Sequence, residues 1–208
     1  DGDGLADLLI GAHGEDSGGS GAGIVYVSLG LPSGIVSLAE SAIALWGSEA
    51  GGAVGSILDG GHDLTGNGWP DLVLGCPASD RGATNGGTVY IVQGPVTASA
   101  SLDEAYLQLH GTYGEQEGAS VAVGGDMDGD GLRERVVGAP EADLEFTKTG
   151  SVRLYRGPLD VGYGEPDTEI YGETDYDRLG GWVADGGDVD GDGYADLLAG
   201  SMYADFIR

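Results

Sequence analysis

The sequence predicts an all-β fold, a segment of a β-propeller built from four-stranded blades. Three observations carry this reading. The 208 residues include 43 glycines and only 7% aromatics, and Val, Ile and Leu fall in short runs between glycine-rich turns, a composition that suits many short strands better than helices. An acidic, glycine-punctuated loop recurs at a period of about 63 residues, starting at Asp63, Asp126 and Asp188. Each period holds about four apolar runs of strand length, the number in one propeller blade.

The elements follow in a fixed order within each period. The loop comes first, as DGDGLADLLIGA (1–12), DLTGNGWPDLVLG (63–75), DMDGDGLRERVVG (126–138) and DVDGDGYADLLAG (188–200), and in each copy it runs directly into a strand. Next, Gly23, Gly87 and Gly150 open the strands IVYVS, TVYIV and SVRLY. Short strands ending in glycine follow as ALWG, QLHG and EIYG, and then VGSILDGG, EGASVAVGG and LGGWVADGG lead to the next loop. No sustained helical period is present; LDEAYLQLHG (102–111) is expected to make one turn at Asp103 and Glu104 before its strand. Residues 1–208 therefore read as a single propeller segment of about 13 strands, from the second strand of one blade to the second strand of a fourth. That count leaves the ring incomplete. A piece of a longer protein is expected, or an open half that pairs with another propeller segment or a second copy.

Charge narrows the partners. Thirty-five acids against 8 bases give a net charge of −27, which disfavours nucleic acid, whose binding depends on Lys and Arg at phosphates, and disfavours anionic membrane surfaces for the same reason. Cys76 is the single cysteine, so no intrachain disulfide forms. No apolar run approaches the roughly 18 residues of a membrane-spanning helix, and membrane insertion is not expected. Self-repulsion at this charge opposes a compact state unless something cationic binds.

The acidic loops are where a cation fits. Numbered from the first acid, side-chain oxygens stand at positions 1, 3, 5 and 9: Asp126, Asp128, Asp130 and Glu134 in the third loop, and Asp188, Asp190, Asp192 and Asp196 in the fourth. The second loop offers Asp63, Thr65, Asn67 and Asp71; the first offers Asp1, Asp3 and Asp7 at positions 3, 5 and 9, its position 1 lacking. Hard oxygen donors without His or Cys suit Ca2+. Alternation turns every other side chain inward around one ion, and glycines at positions 4 and 6 permit the backbone to wrap. Position 7 varies in type (Leu5, Trp69, Leu132, Tyr194), as expected if only its carbonyl faces the ion. An EF-hand would need a bidentate acid at position 12 and an exiting helix; Ile10, Leu74, Val137 and Ala199 stand there instead, inside strand-like runs. Three or four Ca2+ sites are expected, the second weakest by ligand charge and the first incomplete.

These residues resemble the FG-GAP repeats of the integrin α-subunit β-propeller. The GAP element appears as Gly138-Ala139-Pro140, in part as Gly75-Cys76-Pro77 and Gly11-Ala12-His13, and decays to Gly200-Ser201-Met202. The FG glycine appears as Gly55, Gly118 and Gly180, with Val54, Glu117 and Leu179 in place of the aromatic. The resemblance implies Ca2+ held in the hairpin between the first two strands of each blade, an extracellular or cell-surface setting, and recognition or adhesion toward a protein or glycan ligand. FG-GAP repeats also accompany catalytic domains, so the alternative is a non-catalytic accessory propeller of a larger secreted enzyme acting on polysaccharide or lipid.

No catalysis is expected from this chain. His13, His62 and His110 share no motif, and no nucleophile elbow, metalloprotease or phosphate-loop sequence occurs. The three tryptophans and ten tyrosines are read as blade packing. Arg133 and Arg135 stand where apolar residues are usual and are expected to salt-bridge to nearby acids.

Overall fold

A computed structural model describes residues 3–159 and 164–204. Apart from one short strand, the strands fall in chain order into four sheets. The first contains β1 (Leu8–Ala12), β2 (Ile24–Ser28) and β3 (Ile43–Trp46), with a one-turn helix α1 (Leu38–Ser41) ahead of β3. The second contains β4 (Ile57–His62), β5 (Asp71–Cys76) and β6 (Thr88–Val92). The short β7 (Ala100–Ser101) follows, then a 3-10 turn at Leu102–Glu104 where one turn was expected, and β8 (Leu107–His110) completes the second sheet. The third sheet is β9 (Ser120–Val123), β10 (Arg135–Ala139), β11 (Ser151–Tyr155) and β12 (Thr168–Tyr171); β13 (Leu179–Gly187) and β14 (Asp196–Ser201) form the fourth. Within the second and third sheets strands are antiparallel and ordered as in the chain. These are propeller blades. The period does not foretell β7, which leaves its own blade and pairs parallel with β3 through Leu45 and Trp46.

The core lies between the blades. Strand β5 is buried on every residue, because Leu72, Leu74 and Cys76 pack toward the first blade, with Val25, Val27, Val54 and Tyr90. Val73 faces the third blade, among Val89, Ile91, Val121, Val123, Val137 and Tyr155. A smaller cluster of Ala122, Val136, Val152 and Val183 joins the third and fourth blades. A strand covered on both faces reads as a continuous apolar run, not an alternating one.

Close backbone contact sets the blade spacing. Gly75 of β5 abuts Gly118 at the entry to the third blade: a Cβ on Gly75 would lie 2.2 Å from the Gly118 carbonyl oxygen. Gly11 meets Gly55 and Gly138 meets Gly180 in the same way. The residue before the second glycine of each pair forms a parallel bridge to the preceding blade, as Gly23–Val54, Gly87–Glu117 and Gly150–Leu179. The side chain at that position therefore enters the seam between two blades.

That makes the seams unlike one another. At the first, Val54 joins an apolar cluster. At the second, Glu117 is 2% exposed and accepts hydrogen bonds from Arg153 Nη1 (2.7 Å) and the Tyr155 hydroxyl (3.1 Å). Arg153 also bonds to Glu115 (3.1 Å) and Glu169 (2.9 Å), and burial pushes the Glu117 carboxyl upward. Arg135 lies in the same seam, fully buried, its guanidinium 4.1 Å from the Tyr155 ring centroid and without a hydrogen-bond partner. The expectation that Arg135 salt-bridges is thus corrected: its strand register places it opposite Tyr155 on the inner face. Arg133 does pair with an acid as expected, its Nη1 4.0 Å from Asp185 Oδ2, and it donates to the Gly124 carbonyl.

Candidate metal centres

Each described acidic loop is a hairpin between the first two strands of a blade. The second joins β4 to β5, the third β9 to β10 and the fourth β13 to β14. Local hydrogen bonding explains the wrap. In the third loop Asp126 accepts from the amides of Gly129 (2.6 Å) and Gly131 (2.9 Å). In the fourth Asp188 accepts from Gly191 (2.7 Å), Asp192 (3.1 Å) and Gly193 (3.0 Å). Gly129 and Gly131 have φ of 82° and 88°, which a side chain would strain. The position-5 side chain then caps the amide of position 7 in all four loops: Asp3 to Leu5 (2.8 Å), Asn67 to Trp69 (2.8 Å), Asp130 to Leu132 (2.7 Å) and Asp192 to Tyr194 (2.9 Å). These Asx turns are shared local geometry.

Convergence is narrower than the sequence pattern. Carboxylate oxygens of Asp126, Asp128 and Glu134 lie within 4.8 Å of one another, and those of Asp188, Asp190 and Asp196 do the same. These are positions 1, 3 and 9. Asp130 and Asp192 stand outside both groups, turned to their caps. Glu134 is 2% exposed; Oε2 accepts from the Met127 amide, while Oε1 is buried with no partner. Burial first, and then Asp128, Asp130 and Asp126, push its carboxyl upward. Arg156, which the loop pattern does not reveal, places Nε 3.3 Å from Asp128 Oδ2.

The second loop is organised differently. Asp71 is fully buried, and Oδ2 accepts from Leu64 (2.8 Å) and Thr65 (2.9 Å) while Oδ1 accepts from Gly94 (2.8 Å). Gln93 donates to Thr65 Oγ1 (2.9 Å), and Asn67 Nδ2 donates to the Gly94 carbonyl (2.9 Å). Its ligand positions thus also tie down the loop after β6. In the first loop Asp7 accepts likewise from Gly30 (2.8 Å); Asp1 lies outside the described residues.

The profile of the family described as FG-GAP repeat matches residues 1–28, 54–92 and 118–155, about half of the chain. The chain belongs to the FG-GAP repeat family. The matched segments of this FG-GAP chain contain the first three acidic loops and the paired glycines of the seams except Gly180. Integrin alpha-7 of Homo sapiens is 36% identical over 144 residues, covering 67% of this chain and 11% of that protein. Integrin alpha-3 of Mus musculus is 34% identical over 167 residues, 76% of this chain and 15% of the relative. Phosphatidylinositol-glycan-specific phospholipase D of Bos taurus is 33% identical over 150 residues, 68% of this chain and 18% of the relative. The FG-GAP chain spans less than a fifth of the length of each of these relatives. Among the described residues no helix is long and apolar enough to cross a membrane.

Proposed function

We propose that this chain is a calcium-stabilised FG-GAP propeller module for recognition or adhesion at a protein or glycan ligand, working outside the cell and without catalysis of its own. The observation that carries the metal part is Glu134 Oε1, a buried carboxylate oxygen without a partner beside two converging aspartates. A buried unpaired carboxylate is costly, and a hard divalent cation satisfies it while offsetting local like charge. Asp126, Asp128 and Glu134 would hold one ion and Asp188, Asp190 and Asp196 another. Asp130, Leu132, Asp192 and Tyr194 would shape the two loops, and the position-7 carbonyls are the further ligands proposed. The second loop, with Asp63, Thr65, Asn67, Trp69 and Asp71, would be the weakest by ligand charge, and the first, with Asp1, Asp3, Leu5 and Asp7, would be an incomplete site. An ion bound to the folded state alone raises stability by mass action.

Calorimetric melting tests this. Adding calcium at about 100 times its Kd should raise stability by about 2.7 kcal/mol, chelator should reverse the gain, and Glu134→Gln should remove one high-affinity ion from the stoichiometry. An unchanged Tm with chelator would defeat the metal reading. A second reading, an accessory propeller beside a catalytic domain, is supported by the phospholipase D relative. A hydrolase domain encoded next to this segment would favour it.

A further inference from the structure

The chain just beyond β2, β6 and β11 lies beside the acidic loop of its own blade. Six residues after the glycines that open these strands, Gly23, Gly87 and Gly150, the same slot holds Leu29, Gln93 and Arg156. In the second blade Gln93 Nε2 donates to Thr65 Oγ1 at 2.9 Å. In the third, Arg156 Nε lies 3.3 Å from Asp128 Oδ2. Thr65 and Asp128 are both position 3 of their loops, so the slot meets one ligand position twice, once with a neutral donor and once with a cation. Leu29 offers no donor, and its position-3 acid, Asp1, lies outside the described residues. Among the described residues no ion pair reaches an acid of the second or fourth loop. The Arg156 backbone is held, its amide donating to Asp167 Oδ2 (2.8 Å) while the Asp167 amide donates to the Leu154 carbonyl (2.9 Å). Its side chain is 56% exposed, with solvent to turn into.

We propose that Arg156 is the resident counter-cation of the third loop: it holds Asp128 when calcium is absent and gives way when calcium binds, so the residue in this slot tunes how tightly the loop takes its ion. Given the calcium reading of this loop, on which the assignment rests, two cations compete for one carboxylate. Asp128 Oδ1 accepts from the Asp130 amide (3.2 Å) and Oδ2 faces the guanidinium, so an arriving ion meets a ligand already partly neutralised. A divalent cation on Asp128 also stands close to a like charge, and that repulsion weakens binding. In the calcium-free chain the same pair offsets repulsion among Asp126, Asp128, Asp130 and Glu134. It leaves Glu134 Oε1 buried without a partner, so Arg156 does not replace the ion. An exposed ion pair is weak; displacing it costs little, and the site is tuned, not blocked.

The test is isothermal calcium titration of the full chain and of Arg156→Gln, Arg156→Lys and Glu134→Gln, at about 20 mM and about 500 mM monovalent salt. The third site is the one that Glu134→Gln abolishes. Arg156→Gln, which copies the side chain of the second blade, should tighten that site about threefold to fivefold at low salt and by less at high salt, where the charges are screened. Arg156→Lys keeps the charge and should stay within about twofold of the parent. The fourth site should not move in either variant. In chelator, Arg156→Gln should lower Tm by about 2 °C, the pairing lost from the calcium-free loop. Unchanged or weaker calcium binding at the third site of Arg156→Gln, or equal tightening in Arg156→Lys, would overturn the proposal. Either result leaves the calcium reading standing, because the titration still counts the ions; a titration without saturable calcium binding would remove both.

Discussion

Cys76 sits in the seam between the first and second blades with 1% of its surface exposed, and burial pushes its thiol up to about 12. The reactive species is the thiolate, so Cys76 should resist thiol reagents at pH 8 in the folded chain and react fully on unfolding. Labelling at native rates would mean that this seam opens. Asp177 behaves in the opposite sense. The Thr174 hydroxyl, then the amides of Thr174 and Glu173, hold its carboxyl below the usual aspartate range. A depressed carboxylate stabilises the fold above its unfolded pKa of about 3.9, and that contribution fades as pH falls through the lower folded value. Asp177→Asn should therefore cost about 1 kcal/mol near neutrality and progressively less as pH falls below the unfolded pKa of about 3.9 and through the lower folded value, as melting curves across that range would show. Arg135 marks the limit of reading residues from sequence. An arginine in a strand is expected at a surface, and only its register against Tyr155 places it indoors.

At the scale of elements, the strands were legible because glycines bound them and one period repeats them. What the period could not reveal is β7, whose partner β3 lies more than fifty residues earlier in the chain; long-range parallel pairing leaves no local signature. The metal loops were legible as acids at alternate positions, but four equal acids on paper become three converging oxygens and one cap in space, since position 5 already bonds the position-7 amide. A groove between the first two blades, lined by Leu5, Leu9, Trp69 and Pro95, was not legible at all, for its walls come from two different periods. The seam glycines give an element-level prediction. Gly75→Ala puts a methyl 2.2 Å from the Gly118 carbonyl, backbone that cannot step aside without moving a blade, and should destabilise by roughly 1–3 kcal/mol or more. An unchanged denaturation midpoint would show the blades slide freely.

For the molecule as a whole, charge is the governing quantity. With 35 acids and 8 bases, ion pairs among the described residues engage six of the eight cations, Arg81, Arg133, Lys148, Arg153, Arg156 and Arg178, and leave the acids in large excess. In chelator, raising monovalent salt from about 0.01 M to about 0.15 M shortens the screening length from about 30 Å to about 8 Å. It should raise Tm by relieving self-repulsion; a falling Tm would mean that the buried ionic seam outweighs the surface.

The unlike seams bear on how such a repeat array can change over generations. The blades look interchangeable because their loops and glycines repeat, yet each carries half of two different contacts: apolar at Val54, ionic at Glu117, apolar again at Leu179. Duplicating the third blade in tandem would set a second Glu117 against Gly150, the bridge position that Leu179 now fills. The copy would bring its own Arg153 to answer that glutamate, since donor and acceptor travel in the same blade. The apolar partners at the old boundary would have to be rebuilt. Growth of this array by whole units is therefore easiest through the third blade, which imports its counter-charge with it, and hardest wherever an apolar contact must find a new match.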